Sequence, residues 1–471
     1  MADATRDGDD RMDVADSILD LVGNTPLVRL SRLIEAEHLT CDLLAKVEIT
    51  NPGGSVKDRV AIAMVDAAEE AGLLKPGGTI VEPTSGNTGA GLAIVASQRG
   101  YHCIFVMSDK MSDEKVALLR SYGAEVVVCP TAVPPEDPRS YYSTAERLVR
   151  ETPGAFRPDQ YSNPANPRAH ELTTGPEIWR QTRGRVTHFV AGIGTGGTIT
   201  GVARALKSQN PDVQIIGADP SGSVYSGGTG RPYLVEGVGE DFWPTTFDPT
   251  LVDRVIEVSD ADSFLTARRV TQAEGLLIGG SCGTAVYAAL EVARDLGPGD
   301  VVVVLLPDSG RSYLSKIFND QWMFDMGFLR ADGLVVADVL AAKGGDLPDL
   351  VLIEPDERAR DAVTAMRETG VSQLVVSVTK ELPLAAKEVV GTVRELELMD
   401  QVYRDPDVLD RPVGEVCGGP MPMVGIGEPV ARMVASLELQ PSVLVLDGGH
   451  PIGVLTRTDI LAFLASRTNH E

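Results

Sequence analysis

Hydrophobic and polar positions follow two alternating patterns between about residue 14 and residue 330. Continuous apolar runs rich in β-branched residues alternate with stretches of helical periodicity such as "VAIAMVDAAEEAG". Strands that are apolar on both faces and alternate with helices are typical of an α/β protein with a mostly parallel sheet. Ligands of such folds bind beyond the carboxyl ends of the strands. The clearest predicted strands are 79–82, 103–107, 125–129, 188–191, 213–218 and 301–307.

A weak internal repeat occupies the last part of the chain. The segment "PDERARDAVTAMRETGVSQLVVS" (355–377) precedes "GTVRELELM" (391–399), and "GEPVARMVASLELQPSVLVLD" (427–447) precedes "GVLTRTDIL" (453–461). The pattern of each copy predicts a helix, two strands and a second helix, in that order. Two such copies are expected to make one compact unit, because each copy buries its apolar face against the other.

Composition and charge exclude several classes of function. The 471 residues carry a formal net charge of −25, which opposes binding to nucleic acids or to anionic membranes. The six histidines lack metal-ligand spacing and the five cysteines form no Cys-x-x-Cys pair, so we expect no metal centre and no disulfide framework. No apolar run is long enough to span a bilayer, and the start "MADATRDGDDRMD" is unlike a signal peptide. We therefore expect a cytoplasmic protein whose acidic residues 1–13 are disordered.

A lysine follows a glycine-rich turn in "NPGGSVKDR" (51–59) and begins a helical run. Asp58 follows Lys57, so the segment is not a Walker phosphate loop, in which serine or threonine follows the lysine. Two interpretations remain open from the residues alone. Lys57 is either a solvated lysine at a helix start or an amine that attacks a carbonyl cofactor.

Three further segments place glycines and small polar residues after predicted strands. In "TSGNTG" (84–89), backbone N–H groups and polar side chains gather at a helix start, which favours an anion such as a carboxylate. The segment "GIGTGG" (192–197) fits Gly-x-Gly-x-x-Gly, and Asp219 ends the next strand, so it is compatible with a dinucleotide or with a phosphate monoester. In "PDSG" (307–310), Ser309 is either an ordinary turn residue or a contact to a cofactor ring.

Together these motifs resemble the fold-type II pyridoxal-phosphate enzymes of the cysteine synthase and cystathionine β-synthase family. The resemblance covers about residues 15–325, and the two C-terminal repeats are similar to a Bateman pair of CBS motifs. It implies a tryptophan synthase β-like catalytic domain over 14–330 and a Bateman module over 335–471, with repeats at about 335–400 and 412–468. It also implies pyridoxal 5'-phosphate as the cofactor and amino acids as small-molecule substrates.

The resemblance also implies roles for individual residues. Lys57 would hold the cofactor and remove the α-proton of the substrate, Asn87 would face the phenolic oxygen of the cofactor, and Ser309 would face its pyridine nitrogen. The cofactor phosphate would be bound by Gly194, Thr195, Gly196, Gly197 and Thr198. The substrate would be bound by Ser85, Gly86, Thr88, Gln160, Tyr161 and Gly237, with Gly239 also leaving room for a thiol.

The implied reaction is a β-replacement of the transsulfuration pathway, in which serine and homocysteine give cystathionine and water. The alternatives are a cysteine synthase that uses O-acetylserine and sulfide, a threonine-type dehydratase, an NAD-dependent oxidoreductase and a non-catalytic adenosine sensor. Two features differ from known members of the family. Eukaryotic members have a tyrosine where this chain has Glu240, and residues 1–40 contain only His38 as a possible haem ligand, so we expect no haem.

The C-terminal repeats differ from each other at the positions that bind a nucleoside in CBS motifs. Thr456 and Asp459 match the threonine and aspartate that bind ribose, whereas Arg394 and Glu397 occupy the equivalent positions of the first copy. By analogy, we expect one adenosyl ligand, S-adenosylmethionine, as a regulator. The alternative is a purely structural dimerisation module, and we expect a homodimer or homotetramer in either case.

Overall fold

The computed structural model of the protein describes residues 14–84, 86–108, 113–130, 137–343 and 350–468. Its strands are β1 (Leu27–Arg29), β2 (Asp42–Val47), β3 (Thr79–Pro83), β4 (His102–Ser108), β5 (Glu125–Cys129), β6 (Ala155–Phe156), β7 (His188–Gly192), β8 (Gln214–Pro220), β9 (Arg254–Val258), β10 (Val301–Leu306), β11 (Leu352–Ile353), β12 (Gln373–Ser377), β13 (Val389–Arg394), β14 (Met423–Gly425), β15 (Ser442–Asp447) and β16 (His450–Thr456).

Helices connect most of these strands. They are α1 (Ser31–Ala36), α2 (Lys57–Glu70), α3 (Asn87–Arg99), α4 (Asp113–Ser121), α5 (Tyr141–Glu151), α6 (Ala165–Leu172), α7 (Thr174–Gln181), α8 (Gly197–Gln209), α9 (Asp260–Glu274), α10 (Gly280–Ala293), α11 (Asp320–Asp325), α12 (Val336–Ala342), α13 (Ala359–Thr369), α14 (Glu395–Arg404), α15 (Val413–Val416), α16 (Val430–Leu439) and α17 (Arg457–Thr468).

Two separate sheets form the α/β part of the described chain. A six-stranded sheet has the order β1-β2-β10-β7-β8-β9 and is parallel except for the antiparallel pair β1-β2. A four-stranded sheet has the order β5-β4-β3-β6 and is entirely parallel. Strand β10 reads "VVVVLL" and is buried at every position, because it lies between β2 and β7 with helices packed against the sheet.

The six strands predicted from the apolar runs are all present within one or two residues of their predicted ends. The expectation of one sheet was incomplete, because these strands divide between two sheets. Apolar runs indicate burial on both faces, but they carry no information about which strands pair. The apolar pattern carries no clear signal for β1, β2, β6 and β9, which are short or lie at or near a sheet edge.

The C-terminal repeats have the same order of elements. Helix α13 precedes β12, β13 and α14, and helix α16 precedes β15, β16 and α17, as the repeat predicts. Each copy also adds a short parallel strand, β11 or β14, to its antiparallel pair, which gives two three-stranded sheets within the described residues. The apolar residues of the sheets and helices form core clusters separate from those of the α/β part.

The α/β part and the repeats contact each other at several places, one of which is the loop that contains Arg231 and Tyr233. The Arg231 guanidinium donates to the carbonyl oxygens of Glu381, Leu382 and Pro383 at 2.9, 3.2 and 2.7 Å. The ammonium of Lys387, in the same C-terminal segment, donates to the carbonyl oxygen of Tyr233 at 2.7 Å. The repeats therefore contact the loop that leads into the cavity described next.

Candidate active site

A cavity of about 260 Å³ lies at the carboxyl ends of strands from both sheets. Pro307 follows β10, Gly194 follows β7, and Asn87 begins the helix that follows β3; all three residues line the cavity. The predicted location of the ligand beyond the strand ends is therefore where the structure has its polar cavity.

Lys57 is the first residue of α2 and lines this cavity. Burial lowers the pKa of its amine, although the negative charges of Asp308 and Glu240 oppose the shift. A lowered pKa increases the fraction of neutral amine, which is the form that attacks a carbonyl carbon. The structure thus favours the reactive interpretation of Lys57 over that of a solvated lysine.

A network of buried ion pairs fixes the start of α2. The Arg59 guanidinium donates to Glu48 at 2.8 Å and to Glu177 at 2.7 Å, and the Lys46 ammonium donates to Glu177 at 2.6 Å. Burial would raise the pKa of Glu177, but Arg59 and Lys46 outweigh it and lower this pKa to about 2. Because Arg59 lies two residues after Lys57, the network holds Lys57 in place relative to β2 and α7.

The segment after β3 forms one wall of the cavity. The Asn87 side-chain amide donates to a carboxylate oxygen of Asp308 at 2.9 Å, and the Thr88 hydroxyl donates to the side-chain oxygen of Gln160 at 2.7 Å. The carboxylate of Glu82 accepts hydrogen bonds from the backbone N–H groups of Asp159 and Gln160, at 3.1 and 3.2 Å. Thr88 and Gln160 are therefore held together, as a joint site for a carboxylate requires.

The glycine-rich segment after β7 leaves space at the start of α8. Gly196 has a φ of +78°, and a side-chain carbon on Gly197 would lie 2.0 Å from an oxygen of Asn166. A smaller cavity adjoins this helix start and is lined by Gly194, Thr195, Gly196 and Thr198. Open backbone N–H groups and two hydroxyls fit a terminal phosphate group, and together with Lys57 they fit pyridoxal phosphate.

Another part of the cavity lining is a loop that carries acidic side chains and is bent by two glycines. Gly237 and Gly239 have φ values of +82° and +78°, and both line the cavity with Glu236 and Glu240. Burial would raise the pKa of Glu236, but ion pairs with Lys115 and Lys316 outweigh it and lower this pKa. Burial raises the pKa of Glu240 to about 7.

Most of the residues singled out in the sequence meet at these cavities. The main cavity is lined by Lys57, Asn87, Thr88, Gln160, Tyr161, Gly194, Thr195 and Gly237. Gly196 and Thr198 line the adjoining cavity, Gly197 starts α8 beside it, and Gly86 directly precedes α3. Ser85 and the start at 1–13 lie outside the described residues.

Two residues considered in the sequence are not in the lining of these cavities. The Ser309 hydroxyl accepts a hydrogen bond from the backbone N–H of Arg311 at 3.3 Å, and Ser309 does not line either cavity. The carboxylate of Asp219 accepts hydrogen bonds from the backbone and hydroxyl of Ser226 and also lies outside the cavity lining. The side chain that a dinucleotide site would need is thus engaged elsewhere.

Several residues that the sequence did not single out also line the cavity. Asp308 is buried and accepts hydrogen bonds from Asn87 and from the Tyr313 hydroxyl, and burial raises its pKa. Ser281 lies at the start of α10, after paired glycines in "GGSCG". That glycine-rich helix start is a signal that the sequence offered, whereas nothing near Lys115 indicated its place in the lining.

A second cleft of about 230 Å³ lies between the C-terminal repeats and is lined by Thr456 and Asp459. The Asp459 carboxylate accepts hydrogen bonds from the hydroxyl and backbone N–H of Thr456, at 2.6 and 2.7 Å. In the first repeat, the Arg394 guanidinium instead forms an ion pair with Glu397 at 2.9 Å. The two equivalent positions therefore have different chemistry, as the sequence indicated.

Neither a membrane-spanning helix nor a metal-binding cluster is present among the described residues. None of the helices there is both long and apolar enough to cross a membrane. No group of three or more histidine, cysteine, aspartate or glutamate side chains in that part of the chain is arranged to hold a metal ion.

Comparisons with known proteins place this geometry in context. A family model described as "Pyridoxal-phosphate dependent enzyme" matches residues 18–308. The chain is 36% identical to a cystathionine beta-synthase from Dictyostelium discoideum over 481 residues, which cover 96% of this chain and 92% of that protein. It is 45% identical to a cystathionine beta-synthase from Apis mellifera over 331 residues, or 69% of this chain.

The match to the Apis mellifera protein covers 66% of that protein, so the chain spans less than two thirds of this relative's length. Among solved structures, a crystal structure of O-ureido-L-serine synthase is similar with a TM-score of 0.61 and 40% identity. That match covers 65% of this chain and 95% of the other chain.

Proposed function

The chain belongs to the family of pyridoxal-phosphate dependent enzymes, and from this membership we propose that it condenses serine with homocysteine to give cystathionine and water. The observation that carries the proposal is the position of Lys57. Burial lowers the pKa of its amine, and the amine lies in a cavity that has one group of residues suited to a phosphate and another suited to a carboxylate. The match to a cystathionine beta-synthase along nearly the whole chain supports this choice of reaction.

Two groups of cavity residues and Lys57 have tasks in this reaction. Pyridoxal phosphate, when bound, supplies the electron sink that makes the α-proton of an amino acid acidic. The hydroxyls and backbone N–H groups at Thr195 and Thr198 would hold its phosphate, and Asn87 would donate to its phenolic oxygen. Thr88 and Gln160 would bind the serine carboxylate and orient Cα toward the Lys57 amine, which accepts the α-proton.

The test is to measure cystathionine formation from serine and homocysteine with the pyridoxal-phosphate-loaded protein. We expect product at a rate well above that with O-acetylserine and sulfide as substrates. Cysteine formed from O-acetylserine and sulfide, with no cystathionine, would overturn the proposed reaction in favour of a cysteine synthase.

We further propose that an adenosyl compound, S-adenosylmethionine, binds the cleft at Thr456 and Asp459 and regulates the enzyme. The paired hydroxyl and carboxylate are suited to a ribose, and the cleft is large enough to admit a small ligand. The contacts of Arg231 and Lys387 provide a physical route from the repeats to the active-site loop. Calorimetry with S-adenosylmethionine tests this, and the absence of any binding heat would favour a purely structural module.

We also propose a homodimer or homotetramer that acts in the cytoplasm and contains no haem. Light scattering of the purified protein measures the first of these properties, and a haem-type absorption band would contradict the last.

A further inference from the structure

One carboxyl group in the cavity lining has no task in the reaction above. Glu240 lines the cavity together with Lys57 and Tyr161. Its carboxylate accepts a hydrogen bond from the Tyr161 hydroxyl, and the positive charge of Lys57 stabilises its ionised form. Glu240 therefore faces the same space as the lysine that handles the first substrate.

The backbone holds Glu240 in this orientation. Its N–H donates to the Ser223 hydroxyl at 3.0 Å, and its carbonyl oxygen accepts from the N–H of Val224 at 3.0 Å. The preceding residue, Gly239, has a φ of +78°, and a side-chain carbon there would lie 2.4 Å from Pro220. The loop can approach Pro220 this closely only with glycine at 239, so these contacts fix the backbone position of Glu240.

The chemistry of the cavity makes Glu240 a suitable base. A free thiol has a pKa of about 8.5, and an ordinary glutamate, at about 4.3, is a weak base toward it. Burial and the neighbouring Asp241 raise the pKa of Glu240 to about 7, against the opposing effects of Tyr161 and Lys57. A base whose pKa lies near the working pH takes a thiol proton most effectively. The other ionisable side chains that interact with Glu240 are Tyr225 and Tyr233.

The other acidic groups of the cavity are less suited to this task. Glu236 is paired with both Lys115 and Lys316, which lower its pKa. Asp308 is buried and already accepts hydrogen bonds from Asn87 and Tyr313. Among the carboxyl groups in the described lining, only Glu240 is neither in an ion pair nor hydrogen-bonded to Asn87.

We propose that Glu240 is the catalytic base for the second substrate and accepts the thiol proton as the sulfur attacks. This inference rests on the proposed β-replacement. The S–H bond breaks and its proton goes to a carboxylate oxygen of Glu240, while the sulfur forms the new bond to Cβ of the first substrate. Serine loses its hydroxide together with the former α-proton as water, and the proton taken from sulfur finally restores the C–H bond at Cα. No oxidant or reductant is required.

The test separates the two halves of the reaction in the pyridoxal-phosphate-loaded enzyme. Exchange of the serine α-proton with D₂O, without any thiol, reports the first half, and cystathionine formation reports both. In E240Q we expect cystathionine formation to fall by about 10²-fold or more, and to fall far more than proton exchange does. D295N, which removes an exposed carboxylate elsewhere, is the matched control.

The pH dependence provides a second readout that a merely structural role would not change. In the wild type, kcat/KM for homocysteine should fall as the pH drops below about 7, because Glu240 becomes protonated. E240Q should lack this decrease. D241N should move it to lower pH, because losing the Asp241 charge lowers the pKa of Glu240.

The outcomes distinguish this inference from the proposed reaction. If wild-type enzyme exchanges no serine α-proton and forms no cystathionine, the β-replacement itself is wrong. If wild type does both, and E240Q forms cystathionine at the wild-type rate with an unchanged pH profile, the role of Glu240 is overturned. Cofactor absorbance and circular dichroism of each variant identify misfolding, and D241N still tests the inference if E240Q does not fold.

Discussion

The active-site cavity and the cleft between the C-terminal repeats are similar in volume, at about 260 and 230 Å³, but their ionisable groups have different surroundings. In the active site, burial shifts the pKa values of Lys57, Asp308 and Glu240 away from their usual ranges. In the cleft, the Asp459 carboxylate is satisfied by the hydroxyl and N–H of Thr456. Shifted pKa values are useful in a site that transfers protons, whereas a site that only binds a ligand can keep its polar groups hydrogen-bonded.

Removal of Lys57 should abolish the proton transfer that distinguishes the active site from the cleft. In Lys57→Ala we expect the rate of product formation to fall by about 10³-fold or more, because the base and covalent anchor are both lost. Borohydride reduction followed by peptide mass spectrometry should find cofactor on the Lys57 peptide in the wild type and none in the variant. Lys75→Ala, which removes an exposed lysine just after α2, is the control. Product formed by Lys57→Ala at an undiminished rate would contradict the mechanism.

The second prediction concerns the ion pairs that support each region. Arg59→Met leaves Glu48 and Glu177 as buried carboxylates without their guanidinium, so we expect a loss of about 3–5 kcal/mol in the free energy of unfolding. Arg394→Met removes a partly exposed ion pair with Glu397 in the first repeat and should cost about 1 kcal/mol or less. Urea denaturation measures both, and equal losses would mean that the buried network does not anchor α2 as described.

Much of the fold was predictable because strands and helices that are buried have a recognisable apolar sequence pattern. Strand β10 is apolar at every position because both faces of the sheet are covered, and β7 shows the same mark over most of its length. The repeat was visible because two copies of one unit share their periodicity. Edge and short strands such as β1 and β6 bury less of their surface, so their apolar signal is too weak to predict them.

The active site was predictable where a backbone requirement constrains the sequence. The glycines at 194, 196 and 197 are needed for close approach and positive φ, so they form a motif that can be read directly. Lys115 carries no such mark, because its ammonium reaches Glu236 only through the tertiary fold. The position of the Ser309 hydroxyl likewise depends on a local turn, in which it accepts from the N–H of Arg311.

A third prediction concerns the aspartate that lines the cleft between the repeats. Asp459→Ala removes the carboxylate beside Thr456, so we expect S-adenosylmethionine to bind about 10-fold more weakly or worse, because a charge-assisted hydrogen bond to ribose is lost. Glu397→Ala changes the equivalent position of the first repeat and serves as the matched control. Isothermal titration calorimetry compares the two, and equal weakening would mean that the ligand does not distinguish the repeats.

The smallest expected effect tests whether the two regions communicate. Arg231 donates to three backbone carbonyl groups of the C-terminal segment 381–383 and lies on the loop that leads to Glu236. Arg231→Ala should reduce the change in activity caused by S-adenosylmethionine by about 2–5-fold, which corresponds to part of a typical coupling free energy. Binding heat at the cleft should stay within about 2-fold of the wild-type value, because Arg231 does not line it. Arg254→Ala, an exposed change on β9, is the control. An unchanged response to the ligand in Arg231→Ala would show that ligand binding at the cleft is not coupled to the active site through this loop.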